Sequence, residues 1–180
     1  MAKYMVFDVK SVGLHGPVYA VGWVVVDETL LELDNGVVWC YPPKPNPKTE
    51  QEDCSWAEAN VLPSLNLRDT VRNTIYLMEW FCGRWKALQD EHKEIYLCAD
   101  VPWPVETNFL SCCVRLAHQK PSPYPLIDVA SVRLSAGLDP VATCERRRSE
   151  LPKYNPLADA RQSARLLIEA LSARKSLLEG

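Results

Sequence analysis

One acid inside an apolar strand constrains this chain more than any other feature. Residues Tyr4 to Val9 are apolar except for Asp8, which stands between Phe7 and Val9. Such a run reads as a buried strand, and a carboxylate within it is costly unless a cation or a hydrogen-bond donor meets it. Asp8 is therefore expected at the strand's end, where an acid can serve a site. A second β-rich run, Val18 to Val26, follows the turn-forming Gly13-Leu14-His15-Gly16-Pro17. A third, Leu30 to Tyr41, reads as a strand or as strand segments around Asp34-Asn35-Gly36, whose Asn-Gly suits a tight turn. The chain thus opens as an antiparallel meander. Pro42 to Ser55 carries four prolines and many charges and reads as a solvent-exposed loop.

The second half changes period. From Leu67 to about His92, the residues Val71, Ile75, Met78, Cys82 and Trp85 recur at steps of four and three, an apolar stripe that predicts a long helix covering a sheet. Glu94 to Ala99 reads as a strand, Val105 to His118 as a helix and Tyr124 to Val129 as a strand. Pro156 to about Ser176 reads as a last helix with Leu157, Ala160, Ala164, Leu167 and Leu171 on one face. The order β-β-β-α-β-α-β-α implies an α/β fold, a mixed sheet of about five strands with helices packed against it.

A chain of 180 residues is the size of one domain, expected here over 1–180. With 47% hydrophobic and 24% charged residues, and no apolar run near the ~20 residues that span a bilayer, membrane and disordered classes drop out. The opening Met-Ala-Lys-Tyr-Met-Val-Phe-Asp reads as the start of a strand, with an acid at position eight where a signal peptide would still be apolar, so an intracellular, cytoplasmic protein is expected. Seven cysteines without a C-x-x-C pair read as free, buried thiols. A net charge of −3 excludes a strongly basic nucleic-acid binder and leaves room for a local basic groove.

Two further acids matter. Asp159 lies near the start of the last helix and Glu106 in the first turn of the middle one, where either gains from the helix dipole without any other role. Together with Asp8, acids from a first strand, a middle helix and a last helix can converge at one end of a sheet. Clustered carboxylates suit Mg²⁺ or Mn²⁺, and paired ions about 3.5–4 Å apart are the usual device for phosphodiester cleavage.

At this point the sequence resembles a known family. Val6-Phe7-Asp8-Val9-Lys10-Ser11-Val12-Gly13-Leu14 looks like the first motif of the DEDD 3′-to-5′ exonucleases, the RNase T-like branch of the ribonuclease H-like fold, and Tyr19 to Val26 follows it as a strand does in that family. Ala99-Asp100-Val101-Pro102-Trp103-Pro104-Val105-Glu106-Thr107-Asn108-Phe109-Leu110 is similar to the second motif, and Tyr154-Asn155-Pro156-Leu157-Ala158-Asp159-Ala160 looks like the third. The resemblance implies a ribonuclease H-like fold, four carboxylates holding metal, and a general base. Asp8 matches the first acid and Asp159 the last. The family's Glu two residues after the first acid is Lys10 here, its second-motif Asp is Glu106, and its His five residues before the last acid is Tyr154.

These departures differ in weight. Glu106 keeps the charge and adds a methylene. Tyr154 carries a phenol of ordinary pKa about 10, a poor base at neutral pH. Lys10 matters most. Alternation puts residues 8 and 10 on one face of the strand, so an ammonium stands where a metal ligand should be and can pair with Asp8 or Asp159 instead.

Arg146, Arg147, Arg148, Lys153 and Arg161 flank Tyr154 and are candidates to hold phosphates, against the plain alternative of a solvated loop. Trp103, between two prolines, is a candidate to stack a terminal base, or else packs under a loop. His15, His92 and His118 have no metal-ligand spacing, although His15 near the site mouth is a candidate base.

The leading expectation is a catalytically silent descendant of an exonuclease, with Asp8, Lys10, Glu106, Tyr154 and Asp159 at the former active site, that binds single-stranded nucleic-acid 3′ ends or a protein partner. One alternative is an active exonuclease on single-stranded RNA or DNA, its Mg²⁺ or Mn²⁺ held by Asp8, Glu106 and Asp159. The other is a protein-interaction domain without nucleic acid, with Pro42 to Ser55 as contact loop. Metal is expected if the chain is active, and none if Lys10 takes its place. The resemblance leaves homodimerisation open.

Overall fold

The structure is a computed structural model and describes residues 1–42, 51–117 and 123–179. Strands β1 (Lys3–Ser11), β2 (Val18–Asp27) and β3 (Glu32–Trp39) form the expected antiparallel meander. Strand β4 (Ile95–Ala99) adds parallel to β1, and β5 (Leu126–Asp128) adds parallel to β4, giving a mixed five-stranded sheet of order β3-β2-β1-β4-β5. Among the described residues, five α-helices accompany the sheet: α1 (Gln51–Asn60), α2 (Thr74–Glu91), α3 (Val105–Ala117), α4 (Val129–Ser135) and α5 (Pro156–Glu179).

Period-two alternation divides the core between the two faces of the sheet. On one face Met5, Phe7 and Val9 of β1 and Tyr19, Val21, Trp23 and Val25 of β2 pack under α2 and α3. Phe7, Phe81 and Phe109 meet there, with Phe81 5.1 Å from each of the other two rings. On the opposite face Val6, Val24 and Val26 pack with Ala160, Ala164 and Leu167 of α5. Asp8 and Lys10 continue the row begun by Val6, beyond the end of its apolar stretch.

Several elements differ from the sequence reading, each for a physical reason. Asn35-Gly36 makes no turn. It lies inside β3, opposite Val24 and Trp23, and a Cβ on Gly36 would sit 2.1 Å from the Trp23 ring. The glycine makes room for an indole, so a tertiary contact outweighs local turn propensity. Of the loop expected over Pro42 to Ser55, residues 43–50 lie outside the described residues, and 51–55 are helical. Glu52 and Asp53 suit the first turn of α1, while Cys54, Ala57 and Val61 bury one side.

The long helix begins at Thr74, not Leu67, because Asn73 caps it by accepting hydrogen bonds from the backbone N–H groups of Ile75 and Tyr76. Leu67–Asp69 is a separate 3₁₀ turn, and Val71 instead donates its N–H to Trp39 O. Met78, Cys82 and Trp85 are buried as expected, joined by Leu77, Phe81 and Leu88, but Ile75 is half exposed in the first turn. Strand β5 stops at Asp128, whose carboxylate caps α4 through Ala130 N–H. His118 lies outside the described residues. Among the described residues the seven cysteines form no disulfide; five are buried as expected, while Cys112 and Cys144 are only partly buried. No described helix is long and apolar enough to cross a membrane.

Candidate functional site

The site lies where β1 leaves the sheet and α5 begins. Asp8 pairs in register with Gly22 of β2, and a Cβ on Gly22 would fall 2.3 Å from Leu157 N and 2.4 Å from the Pro156 carbonyl carbon. The absent side chain lets the first turn of α5 press against β2, which brings Asp159 over the end of β1. Asn155 accepts from the N–H groups of Leu157 and Ala158 and so fixes that first turn.

Between the two acids stands Lys10. Its Nζ lies 2.9 Å from Asp8 Oδ2 and 2.6 Å from Asp159 Oδ2. The other oxygen of Asp159, Oδ1, accepts from Arg146 Nη1 at 2.6 Å. Two carboxylates thus meet two cations, all with side chains less than a quarter exposed. Burial works against Lys10's charge, but Asp8 and Asp159 outweigh it and hold the ammonium above its ordinary range. Burial pushes the Asp8 carboxyl up to about 6, with Lys10 opposing the rise and Asp159 adding to it.

Glu106 joins from the third side. Its Oε1 accepts from Val9 N–H at 3.1 Å, and it is buried at the start of α3. Burial, and then the nearby Asp8 charge, push its carboxyl up to about 8, so at neutral pH it is mostly the uncharged acid. The sign for stability follows from linkage. A carboxyl whose folded pKa exceeds its ordinary 4.5 favours the fold below that value, and the advantage disappears as the pH rises through about 8. Glu106→Gln keeps an acceptor for Val9 N–H and removes the titration. Its stability relative to the natural protein is expected to rise by about 2–4 kcal/mol between mildly acid and alkaline pH. Urea denaturation at several pH values measures this, and a difference that does not vary with pH would refute it.

The other sequence candidates scatter. Arg146, expected to hold phosphate, is spent on Asp159. Arg161 forms a two-pronged pair with Glu32 on β3, away from the acids. Tyr154, expected at the former active site in place of the family's His, packs its ring edge-on against Trp56 of α1 at 5.0 Å, with Lys153 Nζ 4.8 Å over the Tyr154 ring. Its φ of +72° turns the chain just before α5. Arg147 is largely exposed, its guanidinium 4.0 Å from Glu169, and Arg148 and Lys153 are exposed. Trp103 is 71% exposed, so among the described residues it does not pack under a loop. His15 lines a groove of about 410 Å³ with Ser11, Asn108 and Cys112.

A pair not anticipated from sequence supports this arrangement. Glu150, 2% exposed, accepts from Arg165 Nε at 2.6 Å and Nη2 at 2.9 Å, and from Arg147 N–H at 2.9 Å. Burial alone would raise the Glu150 carboxyl, but the Arg165 hydrogen bonds prevail and hold it below its ordinary range. Arg165 Nη2 also donates to Glu145 O, and Arg146 Nη1 to Glu150 O. Periodicity gave no signal for it, because Arg165 stands off the Leu157, Ala160, Ala164, Leu167 and Leu171 face of the last helix, although a guanidinium once buried requires an acid.

No protein-family model matches the chain, and no curated protein matches it. Solved structures do. Escherichia coli exonuclease I in complex with a dT13 oligonucleotide is similar at a TM-score of 0.61 and 11% identity, over 99% of this chain and 43% of that one. The same enzyme with a dA16 oligonucleotide gives 0.59 and 12% over 99% and 43%, and an ExoI/SSB-Ct complex gives 0.57 and 10% over 98% and 41%. The chain thus spans less than half the length of the proteins it resembles. The likeness establishes an exonuclease-like α/β fold. At such identities it carries no activity across.

Proposed function

We propose that this chain is a non-cleaving member of the exonuclease-like fold that holds single-stranded nucleic-acid ends. One observation carries the reading: the Lys10 ammonium, in contact with both Asp8 and Asp159. A metal-dependent exonuclease would need those oxygens for Mg²⁺ or Mn²⁺. The side chains present do not suit such an ion. Lys10 and Arg146 already neutralise the two carboxylates, Glu106 is mostly protonated at neutral pH, and a dication entering here would meet two fixed positive charges. Among the described residues, no group of three or more His, Cys, Asp or Glu side chains is placed to hold a metal ion.

Binding without cleavage rests on exposed groups carried by the segments that lead into α3 and α5. Trp103 presents a free indole for base stacking, and Arg147, Arg148 and Lys153 present charge for phosphates. Arg146 and Arg161, engaged with acids, do not belong to this set. Exonuclease I was solved with bound oligonucleotides, which makes single strands the first ligands to try.

The test pairs two measurements on the natural protein. Labelled single-stranded RNA and DNA are expected to stay intact with Mg²⁺ or Mn²⁺, while fluorescence anisotropy shows binding that weakens with salt and with Trp103→Ala. Degradation abolished by Asp8→Asn would instead establish an active enzyme. Intact strands without binding would leave a protein-interaction domain.

A further inference from the structure

Asp159 is the acid on which two separate elements converge. Lys10 reaches one of its oxygens from β1, and Arg146 reaches the other from the loop before α5, each at 2.6 Å. We propose that Arg146 is the second half of a two-cation lock, excluding divalent metal independently of Lys10, so that removing Lys10 alone does not open the site. This rests on the reading that the natural protein holds no metal here.

The distinction lies in how Arg146 is held. A loosely anchored surface arginine would swing into solvent when a dication approached. This one cannot do so freely, because its segment is tied down at three points. Arg146 Nη1 also donates to Glu150 O at 3.0 Å, Glu150 takes the Arg147 N–H, and Arg165 binds both the Glu150 carboxylate and Glu145 O. The anchor, Arg165, lies on α5 beyond Asp159 itself, so acid and guanidinium are fixed to the same helix. Nor can Arg146 yield by losing its proton, since a guanidinium stays charged at any pH the fold survives. Lys10 is a compact point charge that a single substitution deletes. Arg146 would remain on Asp159 afterwards, repelling the incoming ion.

Of the three departures from the exonuclease pattern, Lys10, at the place of a family Glu, weighs most, and taken by itself it would have Lys10→Glu rebuild a metal site. The geometry predicts that it does not. Mn²⁺ titration followed by the electron paramagnetic resonance of the free ion reports binding without reference to activity. The natural protein, Lys10→Glu and Arg146→Gln are each expected to leave Mn²⁺ free, and Lys10→Glu/Arg146→Gln to bind it at least about tenfold more tightly than either single variant. Lys10→Glu/Arg146→Lys, which keeps the charge, is expected to stay locked. Thermal melting monitors folding of each variant, and Lys10→Gln replaces Lys10→Glu throughout should the latter fail to melt cooperatively.

If Lys10→Glu alone binds Mn²⁺ as tightly as the double variant, the lock is overturned while the natural protein remains silent. A folded double variant that binds no Mn²⁺ overturns it as well. Mn²⁺ bound by the natural protein, with strand degradation, overturns the proposed function itself.

Discussion

Arg165→Met is expected to destabilise the fold by about 3–5 kcal/mol, enough to unfold many domains of this size at moderate temperature. The methionine matches the length of the arginine stem, so packing along α5 changes little. What is lost is the partner of Glu150, which is 2% exposed and would be left as an uncompensated buried charge. Arg165 also supplies hydrogen bonds to Glu145 O and Glu169, and its loss would free the loop carrying Arg146. Urea denaturation measures the difference. Adding Glu150→Leu to Arg165→Met should recover much of it, because removing both charges removes the desolvation penalty. A single-variant loss below about 1 kcal/mol would mean that water reaches the pair and screens it.

Lys10→Met is expected to cost about 2–4 kcal/mol at neutral pH, less than Arg165→Met because the cluster retains some solvent contact. Two carboxylates would then face each other with only Arg146, paired to Asp159, left to offset their charge. The natural Lys10, held above its ordinary range, contributes stability below pH 10.5 that disappears only as the pH rises past that value. In the variant the two acids can relieve their repulsion only by taking up a proton, as paired carboxylates do. Lys10 holds Asp8 down to about 6 in the natural protein, so without it the proton is taken up at higher pH. The deficit is therefore expected to shrink as the pH falls towards about 6, and stability curves of the two proteins should run parallel below it. Curves parallel at every pH would show that Lys10 acts through packing of its stem alone.

Much of this arrangement was legible in the chain because it follows from short-range rules. Period-two alternation is enough to place Lys10 beside Asp8, on the row that begins with Val6, and the 3.6-residue period is enough to find α2, α3 and α5. The four-and-three stripe still misjudged Ile75, since the helix starts seven residues later than periodicity suggested and its first turn overhangs the core. What sequence could not supply was distance. Glu150 meets Arg165 across 15 positions and Arg146 meets Asp159 across 13. In the primary sequence Arg146, Arg147 and Arg148 form one basic run, while in space the first is consumed by an acid, the second mostly reaches outward and the third is exposed. Asn35-Gly36 carries the same lesson for the backbone, because the residue that decides its conformation, Trp23, lies on another strand.

The bare α-carbon at Gly22 has a consequence for any attempt to remake this site. Main-chain atoms of β2 and of the first turn of α5 touch there directly, on the residue paired with Asp8 and two positions before the residue preceding Asp159. The gap between the two acids is therefore gauged by backbone against backbone, a rigid spacer that no exchange of side-chain charge will widen or close. Whatever replaces the ammonium must fit the opening already cut for it, and an engineer can alter the charge in that opening while its width stays constant.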